Sequence, residues 1–239
     1  MSNINVEEAL ESLFSEYNPE MVEVELPSRG KGYLTTKSIV GIRPMNYEDE
    51  KFIASYSGTT LMDDLITRCS STVDLEELYL EDKLFLYYKL REISFGTNYK
   101  LESQCPKCSH VNLLEVDLKQ LSIDYVDDTF SNPKKINLPI LKKEAEVNKV
   151  RNRDQEYITN GEATLNNIWR FVTRIGDVED PVVISKAVKK LASADLRTLV
   201  AAATNTEFGL DNRVRYKCNS CSFDNVASVG LSLDFFTMS

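Results

Sequence analysis

The chain has 239 residues, and 28 basic against 37 acidic residues give it a formal net charge of -9. A negative surface repels phosphate backbones and anionic membranes, so we expect neither nucleic acid nor a membrane as its partner. No apolar run approaches the roughly 20 residues that span a bilayer, and the first residues lack the basic and apolar segments of a secretion signal, so we expect a protein that is not exported.

The acidic segment of residues 1–20 has apolar residues at helical spacing, namely Val6, Leu10, Leu13 and Phe14. Side chains three and four residues apart lie on one face of a helix, so this pattern predicts a short amphipathic helix. We interpret the segment as an N-terminal arm that docks on another protein surface.

A Gly-rich basic loop follows at residues 26–33, before residues 35–42, which have the pattern of a β-strand. Loops of this composition can cradle an anion, but phosphate-binding loops lead from a strand into a helix, and here a strand pattern follows instead. We therefore interpret residues 26–33 as a turn or a docking loop.

In the first half of the chain, Cys69 is expected to be a buried helix residue. Asp82 is a candidate N-cap for a helix over residues 83–91, whose apolar positions cover one wide face. Gly96 offers the positive-φ conformation that commonly ends helices.

The second half repeats this pattern in residues 196–206, with Ser193 or Asp195 as the candidate cap and Gly209 as the residue that ends the helix. Two further helices are predicted upstream, because apolar residues recur at helical spacing in residues 165–175 and again in 184–191. Pro181 is expected to separate these two helices, and Trp169 to be a core residue.

Four of the five cysteines form two C-x-x-C pairs, Cys105 with Cys108 and Cys218 with Cys221. Segments of alternating polarity flank both pairs, which predicts two β-hairpins with cysteines at their tips. Two such tips supply the four sulfurs of a tetrahedral site. We therefore predict one Zn²⁺ per chain, held by these four residues in a zinc-ribbon arrangement.

Other interpretations of the cysteines are free thiols or redox pairs, but a thioredoxin-like pair precedes a helix, whereas strand patterns follow both pairs here. Ligand identity alone leaves iron open. His110, the only histidine, is an alternative ligand, although four cysteines already complete a site. A site closed by four protein ligands has no position for water or substrate, so we predict a structural metal rather than a catalytic one.

The sequence also resembles itself when it is shifted by 113 residues, which places Cys105 on Cys218 and Cys108 on Cys221. With small changes of offset, Leu26-Pro27 also resembles Leu138-Pro139, and residues 49–53 resemble 154–158. We interpret the similarity as an internal duplication, the alternative being a chance match of helical segments. The same shift aligns Leu78 with Leu191, Asp82 with Asp195, Leu86 with Leu199, Phe95 with Phe208, Gly96 with Gly209, Ser109 with Ser222, Asn112 with Asn225, Val116 with Val229 and Leu118 with Leu231.

The predicted fold class is therefore α+β. Two related halves, each of strands and helices ending in a cysteine-tipped hairpin, are joined by the shared zinc ribbon. The predicted division is an arm of residues 1–20, a first repeat of residues 21–122 and a second repeat of residues 123–239.

The sequence carries little that indicates an enzyme. One histidine limits acid–base chemistry, and no P-loop or dinucleotide-binding motif is present, so we expect no catalysis and no small-molecule substrate. The acidic pairs Asp63-Asp64, Glu76-Glu77 and Asp127-Asp128 are interpreted as solvated surface. A hydrolase that uses Asp127 or Asp128 is a remaining alternative.

Several motifs together point to a family: Leu26-Pro27-Ser28-Arg29-Gly30 with Tyr33, Ile42-Arg43-Pro44 before Asp49-Glu50, Phe95-Gly96, and Cys105-Pro106-Lys107-Cys108 running into Val116-Asp117-Leu118. With these motifs, most of residues 21–239 resembles the baseplate hub proteins of T-even-like contractile-tailed bacteriophages, the small hub and hub-assembly subunits. The resemblance implies a non-enzymatic protein that either belongs to the hub in the virion tail or helps other hub proteins assemble in the host cytoplasm.

The partners that the resemblance implies are other phage baseplate hub proteins. The leading alternative is a zinc-ribbon nucleic-acid-binding or transcription-associated factor, because five cations lie near the cysteines. Acidic residues nearby offset these cations, so no strong basic stripe remains. The five are Lys100, Lys107, Arg213, Arg215 and Lys217.

Overall fold

The computed structural model describes residues 7, 10, 12, 13, 21–58, 60–71, 73–231 and 233–236. Across these residues the protein is α+β, with small antiparallel sheets packed against helices. The predicted helix over the N-terminal arm falls largely outside the described residues. No helix in the described part of the chain is long and apolar enough to cross a membrane.

The first half opens with a two-stranded antiparallel sheet and closes with a long hairpin, and three α-helices lie between them. In the hairpin, Asn98 is paired with Asp117 and Gln104 with Val111. The elements are β1 (Val22–Glu25), β2 (Ile39–Ile42), α1 (Tyr47–Ser55), α2 (Leu61–Cys69), a short 3-10 helix (Leu75–Glu77), α3 (Leu80–Phe95), β3 (Asn98–Gln104) and β4 (Val111–Asp117).

The second half follows a related order, with a three-stranded sheet β6-β7-β8 and a closing hairpin β10-β11. Its elements are β5 (Ile123–Asp124), β6 (Lys134–Asn137), β7 (Glu144–Val147), α4 (Gly161–Asn167), β8 (Val172–Ile175), α5 (Pro181–Val188), α6 (Ser193–Thr204), β9 (Gly209–Leu210), β10 (Arg213–Lys217) and β11 (Asp224–Ser228). Short 3-10 helices cover Leu118–Gln120, Asn152–Ile158, Ile168–Phe171 and Leu233–Phe236.

The described residues form two large hydrophobic cores and a small apolar cluster of Tyr79, Val126 and Phe208. The first surrounds α3 and includes Cys69, which is buried at the end of α2 as predicted. The second lies between the three-stranded sheet and α4, α5 and α6, and Trp169 packs against it, as expected. The first core also contains Val229, Phe235 and Phe236, so the end of the chain returns to pack on the first half.

The seam between the cores is polar and largely buried. Lys149 Nζ lies 2.8 Å from Glu81 Oε1, and Lys83 Nζ lies 2.5 Å from Asn152 Oδ1. Arg151 donates from its guanidinium to the Gly32 carbonyl at 2.6 Å. These contacts join α3 and the turn at Gly32 in the first half to residues 149–152 of the second.

The predicted N-caps of the two long helices were wrong. α3 begins at Leu80 after Tyr79, and α6 begins at Ser193 after Ala192, so Asp82 and Asp195 both lie in the first helical turn. Each carboxylate is buried and accepts backbone N–H groups from a distant turn instead of capping its own helix.

Two further details of the predicted helices differ from the structure. Gly96 has a φ of 84° and ends α3 as predicted, but α6 ends at Thr204, and Gly209 opens β9 with a φ of 115°. Residues 165–175 are not one helix, because α4 ends at Asn167 and β8 begins at Val172. Pro181 lies between the two segments as expected, but it is itself the first residue of α5, which spans Pro181–Val188 rather than the predicted 184–191.

Candidate metal centre

Each cysteine pair lies at the tip of a two-stranded hairpin, as predicted. In the first turn, Cys105 N donates to the His110 carbonyl and Ser109 N donates to the Cys105 carbonyl, each at 2.9 Å. Ser109 has a φ of 59°, which reverses the chain inside the turn. The geometry turns both sulfurs of the pair toward the second hairpin.

The second hairpin has the same turn. Cys218 N donates to the Phe223 carbonyl and Ser222 N donates to the Cys218 carbonyl, again at 2.9 Å, and Ser222 has a φ of 56°. Two unlike tetrapeptides, CPKC and CNSC, therefore fold into one turn geometry.

The two tips face each other and bring all four cysteine sulfurs together, within 4.8 Å of one another. Cys105 Sγ lies 3.7 Å from Cys221 Sγ, and Cys108 Sγ lies 3.6 Å from Cys218 Sγ. Tetrahedral coordination with metal–sulfur bonds of about 2.3 Å separates its sulfurs by about 3.8 Å. The cluster thus has the dimensions of a four-thiolate site for zinc or another tetrahedral metal.

Two asparagines hold the sulfurs from the opposite hairpin, and sequence reasoning assigned them no role. Asn112 Nδ2 donates to Cys218 Sγ at 3.7 Å, and Asn225 Nδ2 donates to Cys105 Sγ at 3.6 Å. Both asparagines are buried. They align with each other when the sequence is shifted by 113 residues, and this correspondence was the signal that could have identified them.

The environment of the four sulfurs shifts the pKa values of Cys218 and Cys221 in opposite directions. Burial raises the pKa of Cys218, but N–H groups of Cys221 and Ser220 donate to its sulfur and bring the pKa down to about 6. The pKa of Cys221 is instead raised to about 12: a hydrogen bond from Phe223 lowers it, while burial and the three neighbouring sulfurs raise it more. Four sulfurs this close cannot all ionise unless a cation balances them, so the site fits a bound metal.

Access to the cluster is uneven. Cys105 and Cys218 are 1% and 2% exposed, Cys221 is half-buried, and Cys108 is exposed. His110 is exposed and is not among the clustered ligands of the described residues. With four protein ligands the site leaves no position for substrate, which suits a structural role.

The acidic pairs proposed as solvated surface have identifiable local partners. Asp127 accepts hydrogen bonds from the backbone and hydroxyl of Thr129, and these bonds lower its carboxyl pKa. Asp63 lies 3.0 Å from Lys83 Nζ, and Asp64 accepts a hydrogen bond from Tyr56. Each of these three carboxylates therefore has a partner within the chain.

Comparison with known proteins gives one family. The model of the T4 bacteriophage base plate protein family matches residues 18–237, which is nearly the whole chain. Neither the curated proteins nor the solved structures give a match. The family match confirms the resemblance at the level of the baseplate.

Proposed function

We propose that this chain, which belongs to the T4 bacteriophage base plate protein family, is a baseplate hub subunit or a factor that assembles the hub. Family membership makes it a structural protein of the phage baseplate. The match over residues 18–237 is the observation that carries the proposal, because it covers both cysteine hairpins and both cores. The protein would act through contacts with other hub proteins and without catalysis.

The four-cysteine cluster would hold one structural Zn²⁺ per chain, with Cys105, Cys108, Cys218 and Cys221 as ligands. Their sulfur spacing fits tetrahedral coordination, and Asn112 and Asn225 would offset part of the thiolate charge. Bound zinc supplies cross-linking and charge neutralisation rather than reaction chemistry. It would fasten the first hairpin to the second in a zinc-ribbon arrangement.

We further propose that the chain arose by internal duplication, with repeats at residues 21–122 and 123–239 after an arm of residues 1–20. Matching hydrogen bonds support this division. Ser28 N donates to Asp82 at 3.0 Å, and Ile140 N donates to Asp195 at 2.7 Å, each from the residue after a Leu-Pro pair. The reciprocal asparagine–sulfur bonds are a second matched set.

A nucleic-acid-binding zinc ribbon is the competing function, favoured by three exposed cations on one face of β10. Two of them have acidic partners: Arg213 Nε lies 2.7 Å from Asp211, and Lys217 Nζ lies 3.5 Å from Asp224. Only Arg215 is left without an ion pair among the described residues of that strand. Lys100 and Lys107 of the first hairpin also lack ion pairs among the described residues, but three separate cations are a weak basis for phosphate binding in a chain of net charge -9.

Affinity purification of the tagged chain from phage-infected cells tests the proposed function. We expect other baseplate hub proteins to co-purify, and immunodetection in purified virions then separates a hub subunit from a transient assembly factor. Recovery of nucleic acid or polymerase subunits, lost as salt is raised, would instead support the competing function.

A further inference from the structure

The Leu-Pro turn of the first half is covered by another segment of the chain. Leu26, Pro27 and Ser28 are all buried. Val126 N donates to the Pro27 carbonyl at 3.0 Å, and Arg29 returns a hydrogen bond to the Val126 carbonyl at 3.3 Å. The covering segment, residues 125–130, therefore adds to this turn through its backbone.

Side chains complete that docking. Val126 is buried, and the Arg29 guanidinium lies 5.5 Å from the centre of the Tyr125 ring. Lys31 Nζ lies 2.7 Å from the Asp127 carbonyl and 3.2 Å from the Asp128 carboxylate. A basic turn is thus matched by a segment in which two apolar residues precede two acidic ones.

The corresponding turn of the second half has no such cover among the described residues. Leu138 is buried, but Pro139, Ile140 and Leu141 are exposed, the last two to 61% and 44%. Asp195 fixes this turn by accepting the N–H groups of Ile140 and Leu141, as Asp82 fixes the first turn. A rigid turn with two exposed aliphatic side chains is a surface suited to docking.

The spacing of segments along the chain indicates which segment could cover the second Leu-Pro turn. The segment 125–130 precedes Leu138-Pro139 by the same interval that separates residues 13–18 from Leu26-Pro27. Residues 13–16 read Leu-Phe-Ser-Glu, against Tyr-Val-Asp-Asp at 125–128, so two apolar residues precede polar and acidic ones in both segments. The N-terminal arm is therefore the counterpart of the covering segment.

We propose that the exposed turn of residues 138–143 binds the N-terminal arm, residues 13–18, of a second copy of this chain. In one chain Leu13 is 75% exposed and Ile140 is 61% exposed, so Leu13 does not cover Ile140 of its own chain. The occupant thus comes from another copy, and its Leu13 would cover Ile140 and Leu141.

Charge favours this pairing. Residues 1–20 contain five glutamates and neither lysine nor arginine, whereas the turn carries exposed Lys142 and Lys143. Glu16 of the arm would take the place that Asp128 has beside Lys31 in the first half. Arm-to-turn contacts of this kind pair two different surfaces, so they can close reciprocally as a two-fold dimer or continue head-to-tail as rings or open chains. One contact of about six residues predicts weak association that multiple copies would strengthen.

Photo-crosslinking of the full-length zinc-loaded protein tests the pairing directly. A photoreactive amino acid replaces Leu13 in isotopically light chains, which are mixed with heavy unmodified chains before irradiation. We expect crosslinked peptides that join light position 13 to heavy residues 138–143. Crosslinks confined to light–light pairs in the same chain, or directed to other surfaces, would overturn the proposal.

Substitutions give an independent measure by sedimentation equilibrium at high protein concentration. Ile140→Asp and Leu13→Asp should each weaken self-association about tenfold or more, because each places a carboxylate in an apolar contact. Leu113→Asp, at a 72% exposed position on the first hairpin, is the matched control and should leave association unchanged.

Charge reversal then tests the orientation. Glu16→Lys should weaken association. Adding Lys142→Glu and Lys143→Glu to the same chain should restore it, because the two surfaces then have opposite charges again. Equal association of wild type, Ile140→Asp and Leu13→Asp would overturn the proposal. The sample contains no other baseplate protein, so self-association can be measured whether or not the proposed hub function is correct.

Discussion

Two buried asparagines bring polar hydrogen atoms to sulfurs of the opposite hairpin. Asn112→Ala or Asn225→Ala removes one N–H···S contact and leaves the thiolate with less stabilisation. We expect zinc affinity to fall about tenfold in each variant, measured by competition with a chromophoric chelator, since groups that support metal ligands commonly have effects of this size. Asn98→Ala, at an exposed position of the same hairpin, should bind zinc as wild type does. Unchanged affinity in both buried-site variants would contradict this role.

Asp82 is a buried carboxylate whose charge is costly. Burial raises its pKa to about 6, although hydrogen bonds from Ser28 and Tyr33 oppose the rise. Because the folded state holds this proton more tightly than the unfolded state, Asp82 destabilises the fold above its folded pKa and does so less as pH falls.

Relative to Asp82→Asn, the wild type should therefore gain about 1 kcal/mol of unfolding free energy between pH 7 and pH 5. Urea denaturation at the two pH values measures this difference. The exposed Asp128→Asn variant serves as the control and should keep a constant offset from wild type. A constant offset for Asp82→Asn as well would show that Asp82 titrates like a solvated acid.

At the scale of elements, the seam between α3 and residues 149–152 depends on buried ions. Lys149 and Glu81 have side chains that are 7% and 11% exposed, and Lys149 also donates to the Asn205 carbonyl at 2.7 Å. Lys149→Met leaves Glu81 buried without its cation, which should cost about 3 kcal/mol in chemical denaturation.

Adding Glu81→Leu to Lys149→Met should recover most of that loss, because the remaining surface is then apolar on both sides. Lys51→Ala breaks an exposed pair with Glu48 and should cost less than about 1 kcal/mol. If the single and double variants at the seam were equally destabilised, the ion pair would not be what joins these elements.

The hairpins could be predicted from sequence because their signals are local. Alternating polarity and C-x-x-C spacing together determine both the strands and the position of the sulfurs. The starts of the two long helices could not be predicted from sequence. Asp82 and Asp195 resemble N-caps, but they accept hydrogen bonds from turns that are 54 and 55 residues away in the chain. Residues 165–175 were mispredicted since Ile168, Phe171 and Ile175 fit helical spacing, whereas the β-branched Val172 and Thr173 complete the three-stranded sheet.

At the scale of the whole molecule, the two proposed repeats are interlocked rather than side by side. Phe235 and Phe236 pack on the first core, and Tyr88 of α3 donates a hydrogen bond to the Val229 carbonyl. The cysteine hairpins, α3 and the segment with Val229, Phe235 and Phe236 thus all join the same two parts. No pattern in the sequence indicated this return, because the contacts span more than 100 residues.

The contacts between the two proposed repeats predict how the protein responds to metal removal. The apolar contacts between the parts should keep most secondary structure when zinc is chelated, while the hairpins separate. Hydrogen exchange should then rise in β3, β4, β10 and β11 and change little in α3. Uniformly faster exchange across all elements would indicate that zinc holds the entire fold.

Native mass spectrometry of the intact chain, purified anaerobically without chelator, tests the shared metal site most directly. We predict one zinc ion per wild-type chain, none in Cys105→Ser or Cys221→Ser, and one in Cys69→Ala, whose thiol is buried elsewhere. Loss of the ion from variants in either hairpin would show that both hairpins share one site. Metal-free wild type, or zinc retained when either hairpin loses a cysteine, would contradict the four-cysteine centre.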